Sequence, residues 1–222
     1  MDAFISYAHA NRSWAGAVKE ALAEFGFDAF LAHEDLQLSE EWKDRILEEL
    51  ANAKLFAAIL SKEFKGSEWC AQEVGYIVSR SKEVLILPLS IDRTTPYGFI
   101  SHLQCSFLKS RDDALPVITQ LMFRRRPKRA IAAQIHRVRK APSWRDGEAE
   151  VKPLVPHFGS FTDEHVTQFA KAAMLNSQVW DASLCKTDYL PQFAKTHWAK
   201  IPKDLRAEFI RKLDLPKSFG RR

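Results

Sequence analysis

The run Leu55-Phe56-Ala57-Ala58-Ile59-Leu60 is apolar at every position. A strand with one wet face alternates apolar and polar residues. One that never alternates must be covered on both faces, which is the situation of a parallel sheet flanked by helices. Phe4–Tyr7, Asp28–Leu31, Val84–Ile91 and Cys105–Leu108 read as further short strands. Between them, apolar residues recur at helical spacing: Trp14, Val18, Ala21, Leu22 and Phe25; Trp42, Ile46, Leu50 and Ala53; then Trp69, Val74, Ile77 and Val78. Strands alternating with helices at this spacing, joined by right-handed crossovers, predict an α/β fold with a flavodoxin-like five-stranded parallel sheet.

The boundaries carry their own signals. Ser13, Ser39 and Ser67 stand where N-caps belong, with Glu40 and Glu41 placed to favour the positive helix end. Gly26 suits the left-handed stop of the first helix. Asp112 or Asp113 is placed to cap a last helix reaching Phe123, with Pro116 tolerated in its first turn.

Charge divides the chain. Residues 1–123 hold 12 Lys/Arg against 18 Asp/Glu, a net of −6, whereas residues 124–222 hold 21 against 10, a net of +11. We therefore expect two units, 1–123 and 124–222, separated at the basic run Arg124–Arg129, which reads as a solvated linker. The second unit has little strand character and reads as a smaller α-helical region. Helices are expected over 130–140, after a Thr162 cap, around 177–185 and 189–199, and after Pro202, with a loop-rich stretch over 141–161. Its aromatics, Phe169, Trp180, Tyr189, Phe193, Trp198 and Phe209, are expected to form a helical core rather than a stacking platform for bases.

Several functions are disfavoured at once. No apolar stretch approaches the roughly 20 residues of a membrane span. Met1–Ser6 has no basic leader character, so a cytoplasmic chain is expected. Cys70, Cys105 and Cys185 lack metal-site spacing, so no metal and free thiols are expected. No glycine-rich fingerprint follows the first strand, which disfavours Rossmann-type dinucleotide binding.

In parallel sheets ligands gather at the carboxyl ends of the strands. Tyr7, the 32–39 loop with His33, Glu34 and Asp35, and the helix carrying Trp69 and Glu73 should meet there. Trp69 and Glu73 are four apart and share a helix face. Taken alone, that spacing describes a core tryptophan with a solvated glutamate beside it. An aromatic plane beside a carboxylate is also a way to grip a sugar or a flat base.

Asp2–Tyr7, the acidic 32–39 loop leading into Trp42, and Ser67-Glu68-Trp69-Cys70-Ala71-Gln72-Glu73-Val74 together resemble the Toll/interleukin-1 receptor (TIR) domain family over roughly residues 1–123. The resemblance implies a five-stranded parallel sheet. It also implies one of two activities, since some members assemble with other TIR domains and others cleave NAD⁺ at the nicotinamide–ribose bond.

In the enzymes the glutamate of this motif is catalytic, which corresponds to Glu73. Trp69 then forms a wall against nicotinamide or ribose, with Ser6, Tyr7 and Trp42 in the substrate site. NAD⁺ is a substrate, and no cofactor is implied. Some catalytic members carry arginine directly after the first strand. Here Ala8 and His9 follow it, so gripping of phosphate or ribose falls to His9, Arg12, His33 or Asp35.

The receptor-free organisation resembles bacterial antiphage TIR proteins that make ADP-ribose or a cyclic or conjugated derivative sensed by a downstream effector. Self-association through TIR–TIR contacts is implied as well. The competing readings are a scaffold recruiting TIR domains through the 32–39 loop and, less favoured, a TIR module with a nucleic-acid-binding basic tail.

Overall fold

Five short strands form the sheet: β1 (Ala3–Ser6), β2 (Ala29–Leu31), β3 (Leu55–Leu60), β4 (Leu85–Ser90) and β5 (Ser106–Phe107). The computed structural model describes residues 1–32 and 41–220. All pairings are parallel, in the order β2-β1-β3-β4-β5. The expected α/β sheet is therefore present. The chain divides into two units, Met1–Arg125 and Arg126–Arg222.

β3 lies at the centre and is buried along its whole length, as its uninterrupted apolar sequence requires. Register places Phe4 opposite both Phe30 and Phe56. Their rings meet at 5.4 and 5.7 Å between centroids, a ladder across three strands. This face packs on α2 (Glu41–Asn52), α3 (Lys62–Gly66) and α4 (Glu68–Ser79) through Ile46, Leu50, Phe64, Cys70, Val74 and Ile77. The alternate strand residues, such as Ile5, Leu31 and Ile59, are buried on the other face. The first unit is completed by α1 (Arg12–Ala23) and α5 (Ala114–Arg125), which pack together.

Several boundaries follow the sequence. Gly26 has φ 71°, and the Phe27 and Gly26 amides donate to the Leu22 and Ala23 carbonyls, closing a Schellman turn. The Ser67 hydroxyl accepts from the Cys70 amide at the start of α4. Other boundaries differ. Ser13 lies inside α1, which follows a 3-10 turn at His9–Asn11. The last helix is entered through a capping box in which Ser110 is the cap and Asp113 its reciprocal partner. The proposed Ser39 cap, with Glu40, lies outside the described residues.

The second unit consists of helices. These are α6 (Pro127–Lys140), α7 (Trp144–Val151), α8 (Asp163–Leu175), α9 (Ser177–Trp180), α10 (Leu190–His197) and α11 (Lys203–Lys212). Phe169, Phe193 and Phe209 are buried in its core, and Phe169 and Phe193 stand edge to face at 4.6 Å.

One expectation is refined here and another fails. The basic run at 124–129 is helical apart from Arg126, because Pro127 opens α6 directly after α5 ends. The stretch 141–161 is α7 followed by a 3-10 segment over Lys152–Ser160, rather than loop. Ser143 caps α7, and Pro153 stands in the first turn of the 3-10 segment, where a missing N–H is harmless.

Gly147 looks like a helix breaker in sequence but marks a close crossing. A Cβ there would stand 2.2 Å from the Gln178 carbonyl oxygen. A Cβ on Gly16, inside α1, meets nothing within 4 Å. Gly147→Ala should therefore destabilise the helical unit by about 1–3 kcal/mol, while Gly16→Ala should stabilise the first unit by up to about 1 kcal/mol. Urea unfolding of each variant, followed by hydrogen exchange within each unit, checks both. Equal effects at the two positions would contradict the crossing.

Candidate functional site

Glu73 is reached from α4, and Ser6 from the carboxyl end of β1. The helix meets the sheet through Cys70, Glu73, Val74 and Ile77, a stripe at positions i, i+3, i+4 and i+7. Counting Cys70 as apolar turns the buried face away from Trp69. The spacing taken alone suggested a core tryptophan and a solvated glutamate, and the structure reverses this. Trp69 is 42% exposed and Glu73 only 3%. Trp69 instead meets Trp42, at the start of α2, edge to face with 4.4 Å between ring centroids.

Register explains the meeting of Ser6 and Glu73. Ser6 pairs with Ala58 and lies two residues beyond Phe4, so its side chain points to the α4 face. Its hydroxyl donates to Glu73 Oε2 at 2.5 Å. The other oxygen, Oε1, is buried with no hydrogen-bond partner among the described residues. Burial pushes the Glu73 carboxyl up to about 7, while the Ser6 hydroxyl opposes the shift. The carboxyl thus exchanges its proton near neutrality. Cys70 is different, because burial pushes its thiol up to about 11. It is a packed thiol at pH 7, not a nucleophile.

More hydroxyls line the same edge. Ser61 follows β3, accepts from Asn11 Nδ2 at 2.6 Å, and caps α3 through the Phe64 amide. Ser90 ends β4, and its Oγ is buried without a partner among the described residues. Asn11, Ser61 and Ser90 belong to no motif of the sequence. The one sequence signal is a serine at or just after the last residue of β1, β3 and β4, strands that are neighbours in the sheet but not all consecutive in the chain.

The remaining candidates are dispersed. Tyr7 directly follows β1 and is fully buried. His9 is exposed in the 3-10 turn, and Arg12 begins α1. His33 and Asp35 lie outside the described residues, as does most of the 32–39 loop. Ser6, Glu73, Trp69 and Trp42 are thus brought together as two contacting pairs, one buried and one half-exposed. A separate groove of about 590 Å³ runs along α1, lined by Gly16, Ala17, Glu20, Glu24, Asp112 and Leu115. Its carboxylates are solvated. Among the described residues, no group of His, Cys, Asp and Glu could hold a metal ion, and no helix is long and apolar enough to cross a membrane. Cys70, Cys105 and Cys185 are free thiols.

The family model for the TIR domain matches residues 3–122. That is more than half of the chain, so the chain belongs to the TIR domain family. Among solved structures it is similar to the TIR domain of the Toll-related receptor TRR-2 from the lower metazoan Hydra magnipapillata. The two are 21% identical, with a TM-score of 0.45 over 55% of this chain and 95% of that one. No curated protein matches the sequence.

Burial of Glu73 gives a pH signature with a definite sign. In the unfolded chain the carboxyl ionises near its ordinary value of 4.5, and in the folded chain near 7. Within that window folding retains a proton that unfolding releases, so this group's contribution to stability falls as pH rises. Glu73→Gln cannot ionise. Its stability relative to wild type should rise by about 3 kcal/mol between pH 4.5 and pH 8, read by urea unfolding at protected amides of β1 and β3. A difference that does not change with pH would show that Glu73 ionises in the folded chain as it does in the unfolded one.

Proposed function

We propose that this protein is a cytoplasmic NAD⁺-cleaving TIR enzyme of the prokaryotic immune kind, with Glu73 as its catalytic carboxylate. The observation that carries this reading is the state of Glu73. It is buried at the carboxyl edge of the sheet, held through one oxygen by Ser6, with the other unsatisfied among the described residues. A buried carboxyl with an open lone pair costs stability. Such groups concentrate where chemistry uses them.

The chemistry asks little of the protein. Nicotinamide leaves a cationic glycoside as a neutral amine, so no acid has to protonate it. The C–N bond breaks with its electron pair going to the nicotinamide nitrogen, and positive charge develops on the ribose. Ionised Glu73, near but not bonded to the anomeric carbon, stabilises that charge and orients the ribose hydroxyls. Trp69, half-exposed against Trp42, offers a flat wall to the nicotinamide or ribose. Capture by water gives ADP-ribose and releases a proton. Capture by an adenine nitrogen or a ribose oxygen of the same molecule gives a cyclic product. Exclusion of water selects between them.

Because the carboxylate form acts, turnover rises with pH through about 7, the point at which Glu73 gives up its proton. NAD⁺ is the substrate, no cofactor takes part, and self-association of TIR domains aligns copies around the site. The product is a signal for a downstream effector.

The test is incubation of NAD⁺ with wild-type and Glu73→Gln chains at high concentration and in a forced oligomer, with products resolved by chromatography and mass. Wild type should release nicotinamide, and the variant should lose about 100-fold or more of that rate. Equal release by both would remove Glu73 from the chemistry. Release by neither, in the forced oligomer as well, would favour the scaffold.

A further inference from the structure

Glu73 has two carboxylate oxygens in different circumstances, and one side chain makes the difference. We infer that Ser6 is a positioning residue. Its hydroxyl pins Glu73 Oε2, fixes the plane of the carboxylate and favours its ionised form, so that Oε1 is the oxygen presented to a ribose. This rests on the proposed function for the identity of the ligand, but not for the state of the carboxylate.

The geometry leaves Ser6 little other role. It is buried at the end of β1, and its Oγ stands 2.5 Å from Glu73 Oε2. The residue is the last of β1, held in the ladder opposite Ala58, so the hydroxyl cannot drift along the sheet. Glu73 sits on a helix whose start is fixed by the Ser67 cap and whose face is fixed by Cys70, Val74 and Ile77. Both partners are thus on rigid elements, which is what holding one rotamer of a short-lived contact requires.

The surrounding charges do not compete with Ser6. On α2, Arg45 is paired with Glu49 and Glu48. On α3, Lys65 lies over the Tyr97 ring, and Glu63 interacts with Ser61. At the far end of α4, Arg80 donates to the Leu50 carbonyl and bonds Glu83. Cys70 is the near titratable group on α4 itself, and burial keeps its thiol protonated. Burial and the Ser6 hydroxyl therefore set the balance at Glu73. Of the two, only the hydroxyl draws the carboxyl toward its charged form, as a donor to a carboxylate must.

The experiment uses the full chain with ¹³C-labelled glutamate. The Glu73 carboxyl resonance is assigned by its loss in Glu73→Gln and titrated in wild type, Ser6→Ala and Ser6→Thr. Ser6→Ala should move the midpoint alkaline by roughly one unit, and Ser6→Thr, which keeps a hydroxyl, should return it toward wild type. An unmoved midpoint in Ser6→Ala overturns the inference, whether or not the chain turns over NAD⁺.

Nicotinamide release provides the second readout. The acid limb of its pH profile should move with the carboxyl, lowering kcat at pH 7 by roughly fivefold and recovering at alkaline pH, with KM unchanged. A moved midpoint with no turnover by any variant would leave Ser6 as the residue that holds Glu73 ionised and would count against the proposed reaction alone. A fall in turnover equal at every pH, with an unmoved midpoint, would make Ser6 merely structural.

Discussion

A carboxylic acid buried beside a sheet must be solvated by the protein or give up its charge. In this TIR domain one serine hydroxyl supplies that solvation for one oxygen of Glu73. The rest of the first unit is arranged so that the two groups meet. The sheet order β2-β1-β3-β4-β5 places β1 next to the central strand and under α4. The register of β1 on β3 turns Ser6 toward the helix, in phase with the Phe4–Phe30–Phe56 ladder. A one-residue slip of β1 would send Ser6 to the opposite face of the sheet. The aromatic ladder therefore guards the site as well as the core.

The site also shows how a helix face is chosen. α4 could bury Trp69, its largest apolar side chain, or Cys70 with Glu73. It buries the second set, leaving Trp69 against Trp42 at the surface. The preference is understandable once Val74 and Ile77 are included, since Cys70, Val74 and Ile77 lie on one stripe and Glu73 is carried in with them. The outcome is a dry carboxyl beside an accessible aromatic plane. For cleavage of a cationic glycoside that division is useful, because the electrostatic group sits in low dielectric while the flat ligand has a wall to lie on.

Much of this was legible in the chain. The unbroken Leu55–Leu60 run identified a strand covered on both faces, and the alternation of short strands with helical patterns gave the parallel sheet. Gly26 and Ser67 announced their turn and cap, and both are used as written. The burial of Glu73 was not legible, because helical periodicity with tryptophan counted as core points the wrong face inward. Ser6 was legible as an edge residue but not as the partner of Glu73, since that contact spans 67 positions and depends on strand register. In the second unit, Gly147, Pro153 and Pro156 suggested loop. The structure uses Gly147 for a close helix crossing and the prolines within a 3-10 segment, contexts that only tertiary packing defines.

The central claim is that Glu73 Oε1, left open by Ser6, faces the ribose of a bound NAD⁺. The most direct test is a crystal structure of the full chain with an NAD⁺ analogue whose ribose ring oxygen is replaced by carbon, so that it binds but is not cleaved. A ribose hydroxyl should lie within hydrogen-bond distance of Oε1, with Ser6 still on Oε2 and the nicotinamide ring against Trp69. An analogue bound elsewhere, or a Glu73 whose two oxygens are both taken by protein groups in the complex, would contradict it.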